Sequence, residues 1–466
     1  MSDGFRKGLQ HTVVATGLSL LLLGATTAHA AITPRIVNGL DTFGFPTTGG
    51  LLYGMGAVPI TADNARLYCT GTLIGCHTFL TAAHCVSTDL DATHYWVYLQ
   101  NAGIVRVSSV AVSPSYNPAL SGNDVAVLTL ATDVTGIAPT SINATHDLNT
   151  IGVGLPGTIV GFGLTLITGN DVGIKRYGAV QTANCVTTLT GGEGNDKLVC
   201  WDFAIPVGPA GTDSDTCNGD SGGPLFMDFG AGLEVVGVTS TGSSPFCRPL
   251  DHSWDASVYF NATWIQSQIG GDSTTTCGSI GPVGSAAASV IGNSGALALG
   301  HLSDSFTVDV GTPSVLRFAL NGQDNSSFNV DLYVKAGTGA GPLSYDCKAD
   351  GLSVFGSCEF LNPTPGTWSI FVSDAAGAGQ YQVSTTIFGG PPPATSTPTG
   401  TPPPATSTAT STSTPTLTPI PATATPTHTP VPATPTATAT ATPPKKKPTN
   451  TPKPTHTPRP KHPPRH

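Results

Sequence analysis

From residue 36 to about residue 270, apolar residues come in short blocks or alternate with polar ones, and Gly, Pro, Asn and Ser separate the runs. Tyr95–Leu99, Val105–Val112, Val125–Leu130, Thr158–Phe162 and Val235–Thr239 each have the length and patterning of a strand. Many short strands at this spacing predict an all-β sandwich or a pair of barrels. One stretch reads differently: Thr263–Ile269 (TWIQSQI) predicts a helix, stopped by Gly270-Gly271 where a helix C-terminus favours glycine. Residues 271–299 are small and polar, as in a linker. Strand patterns return between residues 300 and 389 in SVLRFAL, FNVDLYV, TWSIFV and YQVSTTIF, which predict a small β-sandwich. Residues 390–466 are Pro/Thr/Ala repeats with a Lys/Pro/His/Arg end; too apolar-poor to fold, they are expected to be disordered and polyproline-like.

Composition sharpens this reading. Only 10% of the 466 residues are charged, while 56 Gly and 40 Pro favour loop-rich β structure over helical bundles. The net charge of −9 hides an asymmetry. Residues 391–466 hold no acid and seven bases, which leaves 12 bases against 28 acids, a net of −16, on residues 1–390. An acidic body with a basic tail argues against a nucleic-acid partner, which would place the basic residues on the folded part. At the start, Arg6 and Lys7, the apolar run Val13–Leu23 and Ala28-His29-Ala30 form the three parts of a secretory signal over residues 1–30. The run is too short to span a bilayer, and no transmembrane segment is expected. Export means oxidising surroundings, so the ten cysteines, none in C-x-x-C spacing, read as disulfides rather than a metal site.

Three separated segments carry chemistry together: Thr81-Ala82-Ala83-His84-Cys85, Gly122-Asn123-Asp124-Val125, and Gly219-Asp220-Ser221-Gly222-Gly223-Pro224. A serine hydroxyl is a weak nucleophile at neutral pH. It needs a neutral imidazole to take its proton and a buried carboxylate to hold that imidazole in the right tautomer. A His, an Asp and a Ser stand here in that order, and the glycines let amides at Gly219 and Ser221 turn toward a developing oxyanion.

RIVNG, TAAHC, NDVAVL and CNGDSGGP, in that order, resemble the chymotrypsin-like serine peptidases, and their trypsin-type members in particular. The resemblance covers residues 36–270 and implies two orthogonal six-stranded β-barrels with the active site between them, plus the short C-terminal helix. It implies His84 as general base, Asp124 as its orienting acid, Ser221 as nucleophile, and the Gly219 and Ser221 amides as the oxyanion hole. Ser240, in GVTSTG, matches the serine that supports the buried aspartate. The family also implies a zymogen: residues 31–35 form an activation peptide, cleavage follows Arg35, and the new ammonium of Ile36 pairs with Asp220. Disulfides implied by the family are Cys69–Cys85, Cys185–Cys200 and Cys217–Cys247; Cys347 and Cys358 are close enough in sequence to clip one loop, and Cys76 and Cys277, left over, can pair with each other.

Asp215, six residues before Ser221, matches the pocket-floor carboxylate that selects Arg or Lys, with Ser240 and Gly242 on the wall. Two positions depart from the pattern. Thr241 replaces the usual tryptophan, and Ser257 falls where trypsin-type pockets keep glycine. An Arg/Lys pocket and a shallower one for small or apolar side chains both stay open, as does a catalytically silent binding protein on the same scaffold. VDLYVKAG, YDCKADG and PTPGTWSIFV resemble the bacterial pre-peptidase C-terminal domain, which implies an accessory β-sandwich over residues 300–389. The expected protein is a secreted monomer acting on protein or peptide substrates, without cofactor or metal, its basic tail a candidate contact for anionic wall polymers. His94, His146, His252 and His301 show no ligand spacing and are expected at the surface, while Asn143, Asn261 and Asn325 match the N-glycosylation pattern.

Overall fold

The computed structural model describes residues 36–54, 61–205, 207–275, 277 and 289–389. The expected signal, the activation peptide with Arg35, most of the linker and the tail lie outside the described residues. In chain order the strands are β1 (Leu40–Asp41), β2 (Thr48–Gly54), β3 (Ala65–Leu73), β4 (Thr78–Thr81), β5 (Tyr95–Leu99), β6 (Gly103–Val112), β7 (Ala126–Leu130) and β8 (Ser141–Ile142). After the one-turn α1 (Leu148–Ile151) come β9 (Pro156–Gly161), β10 (Arg176–Ala183), β11 (Leu198–Phe203), β12 (Pro224–Asp228), β13 (Leu233–Gly242) and β14 (Asp251–Ser257), then α2 (Val258–Ile269). The remainder are β15 (Ser289–Leu297), β16 (Ser303–Val310), β17 (Val315–Gly322), β18 (Asn329–Ala336), β19 (Cys347–Ala349), β20 (Gly356–Leu361), β21 (Gly366–Ala376) and β22 (Gly379–Phe388).

Strands β2 to β7 close a six-stranded barrel in the order β2-β3-β4-β7-β6-β5. Its filling is what the apolar blocks foretell: all five residues of YWVYL are buried, and Leu51, Phe79, Leu80, Val97 and Leu128 share one core. A second ring forms because β9 pairs with both β10 and β12, closing β9-β10-β11-β14-β13-β12, with short β1 paired to β10 and short β8 to β13. Closure removes the free strand edges that an open sheet would expose. The helix is longer than TWIQSQI predicts. Ser257 caps it, its side chain accepting the Phe260 amide, so the first helical turn is VYFN, whose aromatic and β-branched residues disguise it as strand.

The third body is a sandwich of two four-stranded sheets, β15-β22-β17-β20 and β16-β21-β18-β19. Edge strand β15 alternates between exposed and half-buried positions, as a one-sided strand should, until Leu297 enters the core. By contrast all eight residues of β17 are buried. One of its faces packs on the other sheet, and the other lies against the first barrel. Leu52, Trp96, Tyr98 and Phe162 join the sandwich residues Leu316, Phe318 and Phe355 in a single apolar cluster. Several polar residues in this contact pair across it: Tyr98 Oη donates to Asn321 Oδ1 at 3.0 Å, and the Arg66 guanidinium meets Asp324 at 2.5 Å.

Five disulfides join Cys69–Cys85, Cys76–Cys277, Cys185–Cys200, Cys217–Cys247 and Cys347–Cys358. No helix among the described residues is long and apolar enough to cross a membrane. His252, expected at the surface, is buried and holds Asp202 through Nδ1 at 2.7 Å. Asn143, Asn261 and Asn325 are all buried, so their acceptor pattern is a coincidence of side chains the fold uses internally.

Candidate active site

His84 sits on a short 3-10 turn directly after β4, and the Cys69–Cys85 disulfide fastens that turn to β3. Asp124 stands just before β7, only 3% exposed. Its carboxylate collects three donors: His84 Nδ1 at 2.7 Å, the His84 amide at 2.8 Å and Ser240 Oγ at 2.7 Å. Burial pushes the Asp124 carboxyl up, but the His84 hydrogen bond and charge, with Ser240 and the His84 amide, outweigh it and hold the group below its ordinary value. Ser240 reaches the carboxylate because a bulge in β13 breaks the ladder: Thr239 pairs with Asp255 and Thr241 with Trp254, leaving Ser240 without a strand partner.

Ser221 lies in the turn before β12, whose shape needs glycine on both sides. Gly219 and Gly222 have φ of +97° and +81°, where side chains with a Cβ are strained. The turn is anchored from the first barrel: Thr70 donates its amide to Ser221 O at 2.8 Å and its hydroxyl to Gly219 O at 2.8 Å. Asp220 is 1% exposed, and the amides of Gly163 and Cys217 donate to its two oxygens at 2.7 and 2.9 Å. Burial pushes its carboxyl up to about 7 against the lowering effect of those amides and of the Arg176 charge. Ser221, His84 and Asp124 line one cavity of about 510 Å³.

Beyond Ser221 the same cavity is bounded by Thr216, Ser240, Gly242, Asp251 and Ser253. Asp215 lies behind this wall with no exposed surface; Ser253 Oγ donates to its Oδ1 at 2.6 Å and Trp201 Nε1 at 3.3 Å. Burial pushes the Asp215 carboxyl up to about 7, with Asp251 adding to the shift. Asp255 is also fully buried, and desolvation lifts it well above the ordinary carboxylate range.

A family model described as Trypsin matches residues 45–265, and one described as Bacterial pre-peptidase C-terminal domain matches residues 302–374. Brachyurin from Leptuca pugilator is 30% identical over 223 residues, 44% of this chain and 88% of its own length. Trypsin from Saccharopolyspora erythraea is 31% identical over 194 residues, 40% of this chain and 80% of its own length. Glucanase inhibitor protein 4 from Phytophthora infestans is 27% identical over 252 residues, 51% of this chain and 91% of its own length. The chain belongs to the trypsin family.

In this trypsin-family chain most of the expected site residues come together: His84, Asp124, Ser221, Ser240 and Gly242 share the cavity, with Gly219 and Asp220 in the turn that shapes it. Ser257 does not join them. It caps α2, pairs with Gly237, and leaves the place beside Asp215 to Ser253. The β13–β14 register sets this: Ser257 lies opposite Gly237, while Ser253 lies opposite Gly242 on the cavity wall. Asp251 and Ser253 are therefore pocket residues that sequence reading missed. Ile36 is buried in an apolar cluster with Ile159, Val199 and Trp201, and Val37 exchanges two backbone hydrogen bonds of 3.1 Å with Asp215.

Proposed function

We propose that this chain is a secreted serine endopeptidase that hydrolyses peptide bonds through an acyl-enzyme on Ser221. The observation that carries the reading is the carboxylate of Asp124, which grips both Nδ1 and the amide of His84 while Ser221 lines the same cavity. With Nδ1 donating to Asp124, Nε2 of His84 is the nitrogen left to take the Ser221 proton as Oγ attacks the scissile carbonyl. The amides of Gly219 and Ser221 have no acceptor among the described hydrogen bonds and are the donors for the oxyanion. His84 then protonates the leaving amine, and a water attacks the acyl-enzyme by the same route in reverse.

Activation by a cut after Arg35 is part of this reading. The burial of Ile36, the pairing of Val37 with the pocket floor and the buried carboxylate of Asp220 support it. A buried carboxylate is costly unless well paired, and the freed ammonium of Ile36 would add a counter-charge to that of Arg176. Preference for Arg or Lys rests on the acids gathered at the pocket, Asp215 below and Asp251 on the wall. The sandwich serves as an accessory domain, the protein acts as a monomer, and the basic tail makes electrostatic contact with wall polymers.

The rival reading is a silent binding protein, and the resemblance to a relative named as a glucanase inhibitor favours keeping it in view. A fluorophosphonate probe applied to protein cut after Arg35 separates the two. The peptidase reading expects one label per chain, at Ser221 and absent in Ser221→Ala. An unlabelled wild type refutes it.

A further inference from the structure

Residues 162–175, between β9 and β10, pass directly behind the turn that carries Ser221. The Gly163 amide donates to Asp220, and the Leu164 amide donates to Asn218 O at 2.9 Å. A Cβ placed on Gly219 would lie 2.9 Å from Val172 Cγ2 and 3.0 Å from Gly163 Cα, so this segment forms the backing of the Gly219 peptide.

The opposite side of the segment is held by the sandwich. Asn321 Nδ2 donates to Gly173 O at 2.8 Å, and the Asp324 amide donates to Val172 O at 2.7 Å. Gln382 brackets Lys175, accepting its amide at 2.9 Å and donating to its carbonyl at 3.2 Å. Gly173 has φ of +104°, and a Cβ there would come within 2.2 Å of Gly322 O, so the two backbones touch. Asn321 has no exposed surface and ties the segment to the first barrel as well, accepting from Tyr98 Oη and Gln100 Nε2 at 3.0 and 3.2 Å.

We propose that the sandwich is a working part of the catalytic apparatus: Asn321 and Gln382 are positioning residues that fix the 162–175 segment and, through Val172 and Gly163, the Gly219 amide. This rests on the serine peptidase reading and extends it, because the accessory domain then sets turnover. Loss of an oxyanion donor costs 10²- to 10³-fold in kcat, and loosening its support should cost roughly 10-fold. Substrate binding, made by the pocket walls, should change little.

The test uses the full chain cut after Arg35. Asn321→Ala should lower kcat on a peptide amide roughly 10-fold with KM within about twofold. Hydrogen exchange of peptides spanning residues 214–223 should rise in step. Arg317→Ala removes a different sandwich–barrel contact, to Thr135 O at 2.7 Å and Thr135 Oγ1 at 2.9 Å, and has no described hydrogen bond to residues 162–175. It should leave kcat and that exchange unchanged. Should Asn321→Ala not fold, Gln382→Ala carries the same expectations. Wild-type kcat and exchange in the Asn321 and Gln382 variants, or an equal loss in Arg317→Ala, would overturn the proposal. A wild type that resists the fluorophosphonate probe sinks the peptidase reading, and exchange then decides the positioning claim alone.

Discussion

Replacing Asp215 by serine tests the pocket through a single charge. The carboxyl has no exposed surface, its Oδ1 is held by Ser253 at 2.6 Å and Trp201 at 3.3 Å, and burial lifts it to about 7. On the Arg/Lys reading, an Arg side chain that reaches past Ser253 to the carboxylate behind the wall meets an ionised acid at pH 8 in desolvated surroundings. Removing one partner of such a pair costs about 3–4 kcal/mol, or roughly 10²- to 10³-fold in kcat/KM. A Phe substrate loses nothing and gains from the removal of an unpaired acid. The same acid sets a pH signature. A carboxyl raised to about 7 is mostly protonated at pH 6, and each pH unit below that value costs about 1.4 kcal/mol to ionise it. The wild-type Arg/Phe ratio should therefore fall about tenfold between pH 8 and pH 6. The assay is kcat/KM for matched Arg and Phe peptide amides at both pH values, in wild type, Asp215→Ser and Asp251→Ser. An unchanged ratio in Asp215→Ser refutes the floor assignment. A loss confined to Asp251→Ser moves the specificity charge to the wall.

Ser240→Ala deletes one hydrogen bond to the buried Asp124 carboxylate, worth about 1.5–3 kcal/mol, and should lower kcat roughly 10- to 100-fold while the protein stays folded by circular dichroism. Because the folded Asp124 value lies below the unfolded one near 3.8, its stabilisation is complete above that pH and is lost as pH falls through the folded value. Ser240→Ala raises the folded value, so its acid-unfolding midpoint should move to higher pH, measured by fluorescence-monitored titration. Replacing Cys347 and Cys358 together by serine opens a loop of separation 11 and should cost the sandwich about 3 kcal/mol by calorimetry.

The parts of the site that sit in contiguous motifs were legible in the sequence. His84, Asp124 and Ser221 each occupy a turn whose neighbours along the chain create its shape, so local residues announce the geometry. The pocket was less legible. Which serine stands beside Asp215 depends on strand register, and the β13–β14 pairing, with its bulge at Ser240, puts Ser253 there rather than Ser257. Most hidden was the contact between β17 and the first barrel. The pattern of SVLRFAL marks a buried strand but not its partner, and the hydrogen bond from Asn321 to Gly173 spans 148 residues. Pairings that distant leave no periodic trace in either segment.

The Cys76–Cys277 bridge, of sequence separation 201, closes a covalent circuit that takes in β4 to β7 of the first barrel and the whole ring β9–β14. On the peptidase reading, this chain cuts chains and is exposed to its own kind at high concentration. Any single nick between those two cysteines opens the polypeptide without releasing a fragment, since both halves stay joined through sulfur. Damage of that sort remains unimolecular, its ends held at high effective concentration. Under non-reducing conditions a nicked population should run as one intact mass, so a peptidase built this way would accumulate silent cuts before it comes apart.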